Sequence, residues 1–180
     1  MIPTERQIKK LWNVYHLPPS KQRHCVQVWR LARSIASQLR KANPSLDINM
    51  PLLEAATLLH DIDKMAPKLP GEHHPDAAVR ILREHEFDEV ADVVRTHPLH
   101  AILDQSIAPK TMEQKLLFLA DKMVKNKITG VDERFALWHA ENLPKEALRI
   151  LNEAYPKVKK LEKEIAKLAK VQDLSTMKLR

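Results

Sequence analysis

Apolar residues recur three and four apart between proline stops through most of the chain, and no stretch sustains the two-residue alternation of a strand. That pattern confines the chain to an all-α fold. Only two glycines stand among 180 residues, against 12 prolines. So few glycines leave no Gly-rich phosphate loop and no many-turned β sandwich or barrel. The length suits a single domain, 1–180, large enough to build a core without disulfide staples.

The breakers predict the helices. The first covers 4–16, with Thr4 as cap and Leu17-Pro18-Pro19 as stop. A long second helix, capped by Ser20, runs to about Ala42 on the stripe Val28, Leu31, Ile35 and Leu39. A third covers 51–64 with Pro51 at its start. Helices at 75–86 and 88–96 follow, then an irregular stretch at 99–110. A sixth covers 111–127, opened by a Thr111/Gln114 capping box. Two more lie near 131–141 and 144–170. The last is amphipathic: Val158, Leu161, Ile165 and Leu168 form one stripe, and six lysines and two glutamates occupy 157–170. It reads as a helix packed on the domain or on a second copy in a homodimer, rather than as a nucleic-acid or membrane arm.

Cys25 is the one cysteine, so no intramolecular disulfide forms and a reducing cytoplasm is the expected setting. The N-terminus shows no secretory signal, and the most apolar stretches, 52–59 and 116–120, are too short to span a bilayer. The net charge of +7 favours anionic partners without naming one.

Nine histidines make their placement the question. His60-Asp61 ends the apolar run LLEAATLLHDIDK, with Ala56 and Leu52 one and two turns before His60. Asp61 and Asp121 are carboxylates in apolar surroundings, costly to bury unless paired or bound to metal. Asp121 shares its face with Leu117, Phe118 and Val124. His24 shares a face with Val28, Leu31 and Ile35, and His97 follows Val90, Val93 and Val94. His74 precedes Pro75 and is placed at a helix N-cap, with His73 as its competitor. Singly, each has an ordinary account as a satisfied core histidine or a paired carboxylate. Together, His24, His60, Asp61, His74, His97 and Asp121 form a nitrogen and oxygen donor set. It suits a divalent transition metal (Fe, Mn, Co, Ni or Zn), and six ligands accommodate two ions with Asp61 as a bridge.

In this order the residues resemble the HD-domain superfamily of metal-dependent phosphohydrolases. His60-Asp61-Ile62-Asp63-Lys64 is similar to the HD-x-x-K form of its dyad. His74-Pro75-Asp76-Ala77-Ala78 resembles the H-P-x-x-A segment of members with two metals. Arg95-Thr96-His97 resembles the I-x-x-H segment, and Leu119-Ala120-Asp121-Lys122 the L-A-D motif. The resemblance covers about 20–135. It implies a helical bundle carrying a dinuclear site, and the pattern looks most like small bacterial symmetrical diadenosine tetraphosphate hydrolases. The chain departs from these at Pro98-Leu99-His100, where they have a Thr-Gly-rich turn, and at 122–125.

The function expected is hydrolysis of a nucleotide phosphate ester or anhydride, a dinucleoside polyphosphate among the candidates, by a metal-activated water. Asp61 and Lys64 are the expected catalytic residues. Lys64, His73, His100, Lys122, Lys125 and Arg134 are candidates to meet the substrate's charge. Two alternatives stand beside this: an HD-type phosphodiesterase on RNA, and a non-catalytic helical binding module with a structural metal. Sparse aromatics, 4% and not interleaved with basic residues, disfavour nucleic acid. Cys25 reads as a small buried thiol, His16, His85 and His139 as surface, and Trp12, Trp29 and Trp138 as core.

Overall fold

The computed structural model of the protein describes residues 1–177. Those residues form eight α-helices and two short 3-10 helices, without strands. Helix α1 (Glu5–Val14) starts at a Thr4/Gln7 capping box, in which the Thr4 hydroxyl accepts from Gln7 N and Thr4 N donates to Gln7 Oε1. The 24-residue α2 (Pro19–Ala42) begins two residues earlier than the expected Ser20 cap implied. Pro19 supplies a preset φ and needs no hydrogen bond at N1, so Pro18 takes the cap position and Ser20 lies inside the helix. Helix α3 (Met50–Leu59), capped by Asn49, is apolar on most of its circumference, and Leu53, Ala55, Ala56, Thr57, Leu58 and Leu59 are all buried.

Next come α4 (Asp76–Glu84), α5 (Asp88–Val94) and a 3-10 helix, Leu99–Leu103, inside the stretch expected to be irregular. Helix α6 (Met112–Lys122) opens on the expected Thr111/Gln114 capping box. It ends five residues short of the expected 127. There the chain turns back through 123–129, where Thr129 N donates to Met123 O and Val124 bridges Ile128. Helices α7 (Gly130–His139) and α8 (Lys145–Ala169) complete the bundle.

The core sits where α2 packs against α3, α6 and α8, and where α5 covers α3 and α6. Its largest wholly buried side chains include Phe118, Phe135, Leu31, Ile35 and Leu39. The inner stripe of α8 is Leu151, Ala154, Val158, Leu161, Ile165 and Ala169, all buried against the protein's own core. Leu168, expected on that stripe, is exposed. The stripe that hinted at a second copy is therefore covered by the same chain. No helix among the described residues is long and apolar enough to cross a membrane.

Candidate metal centre

The third helix stops at Leu59, not at 64, and this shapes the site. After Leu59 the backbone tightens to i→i−3 hydrogen bonds: Ile62 N donates to Leu59 O, and Lys64 N to Asp61 O. His60 and Asp61 thus leave from a turn. Neighbours in such a turn still diverge by about 120°, and the two side chains reach one centre from different sides, with His60 Nε2 3.9 Å from Asp61 Oδ1. His24 comes from the first third of α2, His97 from the turn after α5, and Asp121 from the last turn of α6. His74 lies just before α4, and Pro75 holds the cap position assigned to His74 from the sequence.

Each of the four imidazoles turns its Nδ1 toward an acceptor outside the cluster. His60 Nδ1 donates to Thr57 O at 2.8 Å and His97 Nδ1 to Val94 O at 2.6 Å. His24 Nδ1 donates to Lys125 O at 3.3 Å, and His74 Nδ1 to Asp63 Oδ1 at 2.8 Å. Carbonyl and carboxylate oxygens only accept, so Nδ1 carries the hydrogen in each ring and a neutral ring presents a lone pair at Nε2.

Those Nε2 atoms converge. His74 Nε2 lies 2.9 Å from His97 Nε2, and His24 Nε2 lies 2.9 Å from Asp121 Oδ1. His60 Nε2 is buried without a hydrogen-bond partner, 3.5 Å from Asp121 Oδ1 and 3.9 Å from Asp61 Oδ1. His74 Nε2 is 3.7 Å from Asp61 Oδ1. Lone pairs facing lone pairs at such distances repel unless a cation or protons lie among them. Two overlapping triads, His24/His60/Asp121 and His60/Asp61/His97, have ligand atoms all within 4.8 Å of one another. The donor set therefore fits a divalent metal of borderline or hard character.

The electrostatics agree. Burial would raise Asp121, but Lys122, His24 and His60 hold its carboxyl well below the usual range. Burial likewise opposes Asp61, and His60, Lys64 and Lys21 keep it ionised. Burial, with His60, His74 and Lys122 beside it, pushes His97 well below the ordinary histidine value, leaving it neutral as a ligand must be. His60 goes the other way: burial works against its charge, yet Cys25, Asp61 and Asp121 raise it well above. A cluster that draws a proton to its centre draws a metal cation there too.

The six expected ligands, His24, His60, Asp61, His74, His97 and Asp121, are thus brought together, and the choice between His73 and His74 resolves by geometry. His73 is exposed and lines no part of the adjoining cavity. Lys122 differs from expectation too. It is 3% exposed, and its ammonium donates to Asp121 Oδ2 at 2.6 Å and His97 O at 2.5 Å, so it holds the site's frame. Lys64 lies 3.2 Å from Asp61 Oδ1. His100, Lys125 and Arg134 line the cavity, whose volume is about 520 Å³.

Asp63, Lys21 and Asn126 were not singled out from sequence. Asp63, fully buried, orients His74. Lys21 sits 3.2 Å from Asp61 Oδ2, one turn before His24 on α2, a spacing that could have marked it. Asn126 and Trp138 line the cavity; Trp138 is half-buried, packed against the core through Phe135 and open to the cavity as well. Cys25 is buried with Sγ 3.8 Å from His60 Nδ1, beneath the cluster.

No curated protein and no solved structure matches the chain. The HD domain family matches residues 22–126, from just before His24 to just past Asp121. With more than half of its length matched and the His/Asp cluster assembled inside the match, the chain belongs to the HD domain family, whose members are typically metal-dependent phosphohydrolases.

Proposed function

We propose that the protein hydrolyses a phosphate ester or anhydride of a nucleotide, with a dinucleoside polyphosphate among the substrates to test. The observation that carries this reading is the convergence of four Nδ1-anchored imidazoles with Asp61 and Asp121 beside a cationic cavity. His24, His60, Asp61, His74, His97 and Asp121 would hold the metal, and its number of ions is two in this reading. The chemistry supplied there by a bound divalent ion would be Lewis-acid polarisation of a phosphoryl group and a lowered pKa for a water.

The chain's own residues supply the rest. Asp63 and the Thr57, Val94 and Lys125 carbonyls fix the ring orientations, as outer partners of metal-ligating histidines do. Lys122 sets the carboxylate of Asp121. Lys21 and Lys64, on Asp61 at the cavity wall, meet phosphate oxygens, and Lys125 and His100 add donors at the rim. Cys25 lies outside the cavity lining, so it is no candidate nucleophile. The cavity has the size of a small-molecule site, which favours a nucleotide over a nucleic-acid strand. A reducing cytoplasm suits a protein with one buried thiol.

The test is elemental analysis of protein purified without chelator or affinity metal, beside Asp61→Ala, with turnover screened on dinucleoside polyphosphates and simpler esters. Transition metal in the wild type, lost from the variant together with turnover while far-UV circular dichroism is unchanged, is expected. Turnover retained in Asp61→Ala, or no metal uptake after reconstitution, overturns the reading and leaves a helical binding module.

A further inference from the structure

Helix α8 supplies no ligand to the metal centre and no wall to its cavity. Its apolar stripe packs on the protein's own core. The opposite side carries Lys157, Lys160, Lys163 and Lys167, spaced three, three and four residues apart, and Lys170 follows at the C-cap. All five are exposed. At 1.5 Å and 100° per residue, the row is about 20 Å long and its four helical members cover an arc of about 120°.

Among the described residues, none of these five side chains forms an ion pair or a hydrogen bond, because the carboxylates along α8 are engaged elsewhere. Glu146 and Glu153 hold Arg149, Glu162 holds Lys159, and Glu164 holds Lys115 at 2.8 Å. Asp132, which feels the charge of Lys163, is bonded to Tyr155 and Lys159. Like charges three and four residues apart repel and lower the stability of a helix. The helix dipole offsets this in the last turn, at Lys167 and Lys170, but not at Lys157, Lys160 and Lys163. A row of cations that the fold leaves uncompensated fits a polyanion.

The surroundings select which polyanion. An amphipathic helix holds a bilayer by charge together with its apolar face, and the apolar face of α8 is enclosed in the core. Single strands are held largely by stacking on aromatic rings; Tyr155, the one aromatic residue of α8, is tied to Asp132. A duplex needs no stacking. Double-stranded DNA carries about one charge per 1.7 Å of its axis, so about 20 Å of α8 faces roughly a dozen phosphates. Its major groove, about 12 Å wide, admits a helix ridge with lysines on both flanks, whereas the major groove of duplex RNA is too narrow.

We propose that the outer face of α8 docks on the phosphate backbone of double-stranded DNA through Lys157, Lys160, Lys163, Lys167 and Lys170. The docking is independent of which substrate the His/Asp cluster hydrolyses. The scarcity of aromatic residues bears on single strands, not on duplex phosphates.

The test is fluorescence anisotropy of the full chain with a labelled DNA duplex of about 20 base pairs, between 50 and 200 mM salt. The wild type is compared with a fourfold variant, Lys157→Gln, Lys160→Gln, Lys163→Gln and Lys167→Gln. A control of equal charge carries Lys10→Gln, Lys68→Gln, Lys110→Gln and Lys127→Gln. All eight lysines are exposed, so thermal melts and metal content should match the wild type in both. Five phosphate contacts predict a slope of the log association constant against log salt near −4.5, from about −0.9 per contact. The α8 variant should lose most of that slope and bind more than about 10-fold more weakly at 50 mM salt, and the control should stay near the wild type. Lys160→Gln with Lys163→Gln alone should remove about 1.8 from the slope, and this pair carries the comparison if the fourfold variant does not fold. Equal losses in the α8 variant and the control would show bulk charge alone and overturn the proposal, as would a wild type that leaves the duplex unbound at 50 mM salt. Phosphatidylserine vesicles and a duplex RNA of the same length are the competing partners. Binding to either that is tighter than to DNA and is lost in the α8 variant overturns the assignment to DNA.

Discussion

Replacing Lys122 with methionine should destabilise the metal-free protein strongly and the metal-loaded protein much less. Lys122 is 3% exposed, and its ammonium donates to Asp121 Oδ2 at 2.6 Å and to His97 O at 2.5 Å. Methionine keeps the apolar stem that reaches past Phe118, whose ring centroid lies 4.7 Å from Nζ, and removes the charge. Removing one partner of a buried ion pair costs about 3–5 kcal/mol. Asp121 keeps His24 at 2.9 Å and is 18% exposed, which places its share below that range, near 2 kcal/mol as an order-of-magnitude figure. The His97 carbonyl loses its side-chain donor, adding about 1 kcal/mol. The sum is about 3 kcal/mol, or roughly a 6–12 °C fall in Tm for a chain of this size. A divalent ion on Asp121 supplies the positive charge that the lysine supplied, so the loss should shrink to less than about half with saturating metal. Urea denaturation with chelator and with manganese measures both numbers. A metal-free loss under about 1 kcal/mol would refute the reasoning, because Lys122 would then not be what keeps Asp121 ionised in the interior.

Other predictions follow from the same geometry. Asp63→Asn removes the carboxylate that orients His74 while keeping its shape, and should weaken metal affinity about 10- to 100-fold by competition against a chelating dye. Unchanged affinity would mean that His74 is aligned by other contacts. In the metal-free protein, Asp61 and Asp121 have folded pKa values below their unfolded ones, so the unfolded state binds more protons. Their stabilisation is present above about pH 4 and drains as pH falls below it; denaturation midpoints from pH 6 to 3 should show a slope that Asp61→Ala reduces. Ile165→Ala, deleting a wholly buried side chain of α8, should cost about 2–5 kcal/mol with a midpoint independent of protein concentration. A concentration-dependent midpoint would show that α8 also serves a subunit interface.

The secondary structure was legible because its signals are local. Proline stops, the Thr4 cap, the Thr111/Gln114 capping box and the 3.6-residue stripes act within a few residues of the chain, so they show without knowledge of what packs where. Boundaries were misplaced where a tertiary contact ends the helix. At Leu59 the chain leaves the helix to aim His60 and Asp61 inward, and at Lys122 it turns back into the 123–129 loop that brings Lys125 O to His24.

The donor set was visible one residue at a time, as histidines and aspartates where apolar neighbours make polar groups costly. What sequence could not give was the allotment of partners. Lys122 and Arg134 look alike as cations near the motif, yet one is enclosed as the counter-charge of Asp121 and the other keeps buried donors without acceptors. Asp63 and Asp61 are two residues apart, yet one backs His74 from behind while the other faces the cluster. Trp138 could be read as core until the fold opened one side of it onto the cavity. The sequence by itself determined that this chain is helical and carries imidazoles and carboxylates at costly positions, because periodicity and desolvation depend on near neighbours. Only the tertiary structure decided which of those groups meet, because such pairings join residues about a hundred positions apart.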